Sequence, residues 1–139
     1  MRDGVSVTAR DPGGTAQENL KDIAEAAQEM FVVLTINTKN KIIGKYVVGV
    51  GLVDQCPAHP REVFRPAIVD CAYRVIVAHN HPSGEVSPSA EDLRITRQLI
   101  EAGKILGIHV IDSIVVGIND TNGELCWFSM REEGLVQFS

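Results

Sequence analysis

Apolar positions along the chain switch from helical to extended spacing and back, and the switches mark out the elements. Leu20, Ile23, Ala24, Ala27 and Met30 recur at helical intervals behind Thr15-Ala16-Gln17-Glu18, which has capping-box spacing, so a first helix of about three to four turns is predicted. It feeds directly into Phe31-Val32-Val33-Leu34-Thr35-Ile36-Asn37, a β-rich and continuously apolar run. The polar turn Thr38-Lys39-Asn40-Lys41 then leads to Ile42 through Val50, and both strands of this hairpin read as well buried. Pro60 suits the first turn of a second helix whose face is Val63, Phe64, Ala67, Ile68 and Cys71, with Pro66 expected to bend it. Arg74 to His79 is a short apolar strand. A polar Asn-His-Pro-Ser-Gly loop follows it, and Ser89-Ala90-Glu91-Asp92 then starts a third helix that runs to about Leu106. Leu93, Thr96, Leu99, Ile100, Gly103 and Leu106 mark its inner face and Gly107 its stop. Ile108 to Val116 and Glu124 to Ser129 are the last two strands, separated by the turn Asn119-Asp120-Thr121-Asn122-Gly123. This order implies an α/β (α+β) fold with one mixed sheet flanked by helices.

Composition narrows the class. A chain of 139 residues with 45% hydrophobic and 22% charged positions makes one ordinary globular domain, read as residues 15–139, with no internal repeat. Residues 1–14 are Gly, Asp, Arg and Pro-Gly-Gly with scattered valines, and read as a flexible tail. They carry no apolar run of signal-peptide length, and no stretch of the chain approaches about 18 apolar residues, so neither export nor a membrane span is expected. The formal net charge of −5 disfavours holding phosphate backbones by diffuse positive charge, and autonomous DNA binding is not expected. Cys56, Cys71 and Cys126 are odd in number and far apart, which fits a reducing, cytoplasmic setting. Cys71 and Cys126, in apolar surroundings, read as small core residues.

One segment departs from this background: His79-Asn80-His81-Pro82-Ser83-Gly84-Glu85-Val86-Ser87-Pro88-Ser89-Ala90-Glu91-Asp92. Alternate residues of an extended chain share a face, so His79 and His81 at a strand end direct two imidazoles to one point. Asp92, in the first turn of the next helix, completes a set of two imidazoles and a carboxylate. That set suits Zn²⁺ and leaves one tetrahedral position for water, the open arrangement of a catalytic site. Zinc lowers the pKa of bound water toward about 7, and peptide hydrolysis also needs a base that takes and returns a proton. Glu29, where the first helix meets the first strand, is one candidate, with Glu18 and Glu25 as rivals and a solvated helix-end carboxylate as the plain alternative. Ser89 is a helix N-cap by position and also a candidate oxyanion donor; Asp92 is likewise a capping acid. His59 and His109 have no ligand-type residue at a productive spacing and are left out of the site.

His79-Asn80-His81-Pro82-Ser83-Gly84, with Pro88-Ser89 and Asp92, resembles the metal motif of the RadC-like JAB domains within the JAB/MPN/JAMM metalloprotease superfamily. Its pattern is an upstream Glu, then His-x-His-Pro, seven residues counted here from Pro82 to Pro88, then Ser and, three positions on, Asp. Pro60-Arg61-Glu62-Val63-Phe64-Arg65-Pro66-Ala67, Gly107-Ile108, Ile111-Asp112, and Phe128-Ser129 followed by Arg131-Glu132-Glu133-Gly134-Leu135 extend the likeness over residues 29–135. The resemblance implies a JAB/MPN-like (cytidine-deaminase-like) fold, His79, His81 and Asp92 as zinc ligands, Glu29 as general base and Ser89 as oxyanion donor. Two departures stand out: nothing before residue 15 reads as the helix-hairpin-helix region often found in RadC proteins, and Asp112-Ser113 stands where the family commonly has Asp-His.

The resulting expectation is a zinc-dependent peptidase or isopeptidase acting on a protein or peptide, with a ubiquitin-like tail as one substrate. The competing expectation is a non-catalytic interaction module of a DNA-repair or mobile-element system. A metal-dependent nuclease fits less well, because the site lacks the paired acids of a two-metal phosphodiesterase. The alternating stretch Val47 to Leu52 offers an edge to which a partner strand or substrate tail can add.

Overall fold

A computed structural model describes residues 14–51 and 59–138, with side chains from residue 19 onward. Helix α1 (Gly14–Ala24) precedes β1 (Met30–Ile36) and β2 (Ile42–Val50). Helix α2 (Pro60–Val69), strand β3 (Arg74–Asn80), helix α3 (Ala90–Leu106), and strands β4 (His109–Ile118) and β5 (Leu125–Ser129) follow. The strands form one sheet in the order β2-β1-β3-β4-β5. Hairpin partners β1 and β2 are antiparallel, as are β1 and β3 and also β4 and β5. Only β3 and β4 are parallel, because the α3 crossover returns the chain to the starting end of the sheet.

The alternation of side chains along the strands divides the core into two layers. Phe31, Val33, Val75, Val77 and Val115 face α2 and α3, where they meet Val63, Phe64, Ala67, Ile95, Leu99 and Ile100. Val32, Leu34, Ile76, Ala78 and Ile114 face the opposite way and meet Leu20, Ile23 and Ala24 of α1. Both faces of β1 and β3 are thus covered, which accounts for the unbroken apolarity of their sequences.

Several sequence expectations are corrected. The first helix ends at Ala24, so Ala27 is exposed beyond it and Met30 opens β1. The helix begins at Gly14, the last residue of the expected tail of residues 1–14; residues 1–13 and the capping-box side chains lie outside the described residues. Strand β2 is an edge strand with half-buried and exposed positions in alternation, not a buried one. Of the expected stretch Val47 to Leu52, β2 supplies Val47 to Val50, and Leu52 lies outside the described residues. Cys71 is exposed rather than in the core; it follows the end of α2 with a φ of 54°, turning the chain toward β3. Cys126 is half-buried. Leu106 is exposed, and Ile95 takes a place on the inner face of α3 that the sequence reading omitted. Pro66 lies inside α2 without ending it, and Gly107 closes α3 with φ 76° as expected.

A buried carboxylate ties the C-terminal segment to the sheet. Asp112, 2% exposed in β4, accepts hydrogen bonds from the Ser129 hydroxyl (2.5 Å) and from the backbone N–H groups of Ser113 (2.7 Å) and Arg131 (3.1 Å). Burial pushes its carboxyl up to about 6, against the opposing pull of these hydrogen bonds. Between pH 4 and 6 the native state therefore keeps a proton that the unfolded chain has lost, so this contribution to stability is full below about pH 4 and is lost as pH rises through 6. Urea midpoints of the wild type should accordingly fall relative to those of Asp112→Asn over that interval. Asp112→Ala, which strands two backbone donors, should cost about 2–3 kcal/mol in the same measurement.

Candidate metal centre

The site forms where the end of β3, the start of β1 and the first turn of α3 meet. His79 is the penultimate residue of β3 and shares a face with Val75 and Val77, the side covered by α3. Its ring stacks on that of Phe31, its register partner on β1, with centroids 5.8 Å apart and planes 6° apart. His81 lies just beyond the strand, held to β4 by its N–H donating to the Val116 carbonyl (3.0 Å). The loop after it is shaped by Gly84, whose φ of 88° favours glycine and whose position admits no side chain, since a Cβ would lie 2.8 Å from the Ile118 carbonyl oxygen.

Helix α3 begins at the site because its cap is complete. The Ser89 hydroxyl accepts from the Asp92 N–H (3.0 Å) and the Asp92 carboxylate accepts from the Ser89 N–H (2.8 Å). The same carboxylate turns one oxygen to each histidine, Oδ1 at 3.2 Å from His79 Nε2 and Oδ2 at 3.3 Å from His81 Nε2. The two Nε2 atoms are themselves 3.2 Å apart. His79, His81 and Asp92 form the one His/Cys/Asp/Glu cluster of metal-binding geometry found among the described residues.

These distances fit a metal ion. Bonds of about 2.0–2.1 Å at a tetrahedral angle separate neighbouring ligand atoms by about 3.3 Å; the two Nε2 atoms are 3.2 Å apart, each meets a different oxygen of Asp92 at 3.2–3.3 Å, and one ligand atom from each residue lies within 4.8 Å of the other two. Protonation points the same way. His81 Nδ1 lies 2.7 Å from the Glu85 carbonyl oxygen, so Nδ1 carries the proton and the Nε2 lone pair of the neutral ring faces inward. Inward lone pairs from His81 and Asp92 require a proton or a cation between them. Hydrogen bonding to Asp92 raises the His81 pKa, partly opposed by desolvation. Burial alone would raise the Asp92 pKa, but the two imidazoles and the Ser89 N–H hold its carboxyl far below the usual range. His79 Nδ1 is buried with no hydrogen-bond partner among the described residues, so this ring is oriented by stacking on Phe31 and by its contacts with Asp92 and His81.

Glu29 stands outside this cluster but beside it. It is half-buried, one residue before β1, and its carbonyl accepts from the Gly51 N–H (2.7 Å). Continuing the antiparallel register from the Phe31–His79 pair places Glu29 across from His81, and its charge contributes to the raised His81 pKa. His59 instead caps α2, its Nδ1 accepting from the Arg61 N–H at 3.3 Å, and His109 is exposed with its ring edge on Tyr73. Ser113 is buried on β4, and its hydroxyl accepts at 3.0 Å from Oγ1 of Thr96, which lies one helical turn along α3 from Asp92 and also touches Met130 Sδ (3.4 Å).

Two groups escaped sequence reasoning. The Glu85 contribution is a backbone carbonyl and leaves no trace in residue type. Asn80 is fully buried, with its amide bonded to the segment that precedes β1. Its signal is its place between two candidate ligands at a strand end, which turns a polar side chain to the opposite face of the sheet.

A mixed sheet whose His-x-His strand end meets an acid from the first turn of the following helix agrees with a JAB/MPN-like domain. Comparison of sequences is more specific: the RadC-like JAB domain family matches residues 10–135, and the chain belongs to that family. It is 42% identical over 136 residues to a UPF0758 protein of Rubrobacter xylanophilus, covering 92% of this chain and 57% of the relative. A UPF0758 protein of Methanosarcina barkeri is 42% identical over 113 residues, 81% of this chain and 47% of the relative. Another from Desulforamulus reducens is 39% identical over 126 residues, 91% and 52% respectively. The chain spans about half the length of these curated relatives. Among the described residues no helix is long and apolar enough to cross a membrane.

Metal analysis of untagged protein purified without added metal should find close to one zinc per chain, and His81→Ala should remove it. Absence of metal even after reconstitution would reduce the cluster to a capping and packing arrangement.

Proposed function

We propose that this domain is a zinc-dependent hydrolase of peptide or isopeptide bonds, with His79, His81 and Asp92 holding the ion, Glu29 as general base and Ser89 as oxyanion donor. The observation that supports this reading is the convergence of two imidazole Nε2 atoms, 3.2 Å apart, on the Asp92 carboxylate, with one ligand atom from each residue within 4.8 Å of the others. Three protein ligands leave a tetrahedral ion one open position, which is the stoichiometry of a catalytic rather than a structural zinc site.

When bound, zinc supplies Lewis acidity that polarises a carbonyl and acidifies water. The protein's own groups do the rest. Glu29 accepts the proton of the attacking water and returns it to the amine nitrogen as the C–N bond breaks. Ser89 is suited to its part because its hydroxyl oxygen is engaged by the Asp92 N–H while its own proton stays free to donate to the carbonyl oxygen as that atom becomes negative. Glu85 and Phe31 keep the imidazoles oriented throughout. The substrate class is a polypeptide, with a ubiquitin-like tail as one form. The place of action is the cytoplasm, in a DNA-repair setting, without autonomous DNA binding.

Glu29→Gln should keep a full equivalent of zinc while abolishing cleavage of peptide and isopeptide libraries, whereas His79→Ala should lose both. Ser89→Ala should retain metal, lose about a hundredfold in kcat and weaken α3 by about 1 kcal/mol. Full turnover in Glu29→Gln would remove the base from the mechanism. Zinc bound without turnover on any library would leave a non-catalytic interaction module as the function. Sub-micromolar, salt-sensitive affinity for duplex DNA would overturn the assignment of partners.

A further inference from the structure

We infer that Asn80 is a positioning residue for Glu29, its side-chain amide setting where that carboxylate stands relative to His79, His81 and Asp92. The backbone pairing of β1 with β3 runs from Ile36–Arg74 to Phe31–His79 and stops there. The next rung is made by a side chain. Asn80 Oδ1 accepts from the Met30 N–H at 2.6 Å, while Nδ2 donates to the carbonyls of Gln28 (3.0 Å) and Ala26 (3.3 Å). Glu29 lies between the two residues gripped most closely, and Asn80 lies between the two histidines of the metal cluster. One fully buried amide thus joins the ligand-bearing strand to the backbone on both sides of the carboxylate.

The chemistry calls for this residue type. The segment after α1 is irregular, so its N–H and C=O groups lack helix or ladder partners where they meet β3, and a buried polar backbone must be satisfied. An amide of this length offers an acceptor to Met30 and two donor hydrogens to the two carbonyls; a carboxylate would face those carbonyls with negative oxygen, and an aliphatic side chain would satisfy none of them. Alternation along β3 turns Asn80 away from the metal cluster and toward the α1 side, so it acts on the site only through the 26–30 backbone.

The role assigned to Glu29 rests on the hydrolase reading, but the test needs no substrate. Zinc affinity is measured by competition with a chromophoric chelator for the wild type, Glu29→Gln, Asn80→Ala and the double variant. A nearby carboxylate favours the cation, so Glu29→Gln should weaken zinc binding by roughly three- to tenfold in the wild-type background. In the Asn80→Ala background the same substitution should change affinity by less than about twofold, with one zinc still bound per chain. An equal factor in both backgrounds overturns the proposal, and so does no effect of Glu29→Gln in the wild type. If Asn80→Ala does not fold, the cycle is run on Asn80→Asp, which keeps side-chain volume and the Met30 acceptor; failure of both to fold would show a purely structural residue and also overturn it. A cycle that behaves as expected in a protein without peptidase activity would retain the positioning role and remove only the hydrolase reading.

Discussion

The Asp92 carboxylate is the point on which the site depends, because the same two oxygens satisfy a helix end and confront two imidazoles. Its bond from the Ser89 N–H, with the reciprocal bond from its own N–H to the Ser89 hydroxyl, fixes where α3 begins. Its contacts of 3.2 and 3.3 Å to the histidines fix how that beginning sits over the end of β3. A helix start is a region of positive potential and unmet donors, so an anion is stable there before any metal arrives. The candidate ligand set is thereby preorganised by secondary structure, and the charge that would otherwise be costly to bury is shared among a helix terminus and two rings.

Around that point the sheet supplies direction. The parallel β3–β4 pair and the α3 crossover bring the helix start to the carboxyl end of β3. The antiparallel β1–β3 pair brings the start of β1 to the same end, which is how residues some fifty positions apart come to face each other. Side-chain alternation then separates the two residues: His79 points to the α3 side, into the candidate metal cluster, and Asn80 to the α1 side, where it anchors the backbone before β1.

Beneath the cluster the packing is polar but satisfied. Thr96, one turn along α3 from Asp92, bonds the Ser113 hydroxyl and touches Met130, so the position where the resemblance calls for histidine is filled by a small hydroxyl side chain. The departure changes a buried contact between α3 and β4 and leaves the three candidate ligands untouched. Next to it, Asp112 gathers Ser129 and the Arg131 N–H, so the chain after β5 is fastened to the same strand. The floor of the site and the C-terminal turn therefore share β4 as their common support.

Features that depend on neighbours in the chain were legible in the residues alone. The i, i+2 spacing of His79 and His81, the i, i+3 pairing of Ser89 with Asp92, the αL stop at Gly107 and the order of strands and helices all follow from local geometry, and the structure reproduces them. Other features depend on what a segment meets after folding. The end of α1 at Ala24 rather than near Met30 reflects competition between helical continuation and pairing of residue 30 with the sheet. The apolar run of β2 looked buried but lies at an edge, and Cys71 looked like core but closes a helix in the left-handed region. Glu29 could be singled out from its rivals Glu18 and Glu25 only by resemblance, because its place opposite His81 is a consequence of long-range antiparallel register, which no local period encodes. The Asn80 amide and the Glu85 carbonyl complete the contrast: their importance lies in hydrogen bonds to distant or backbone partners, and those exist only once the strands have paired.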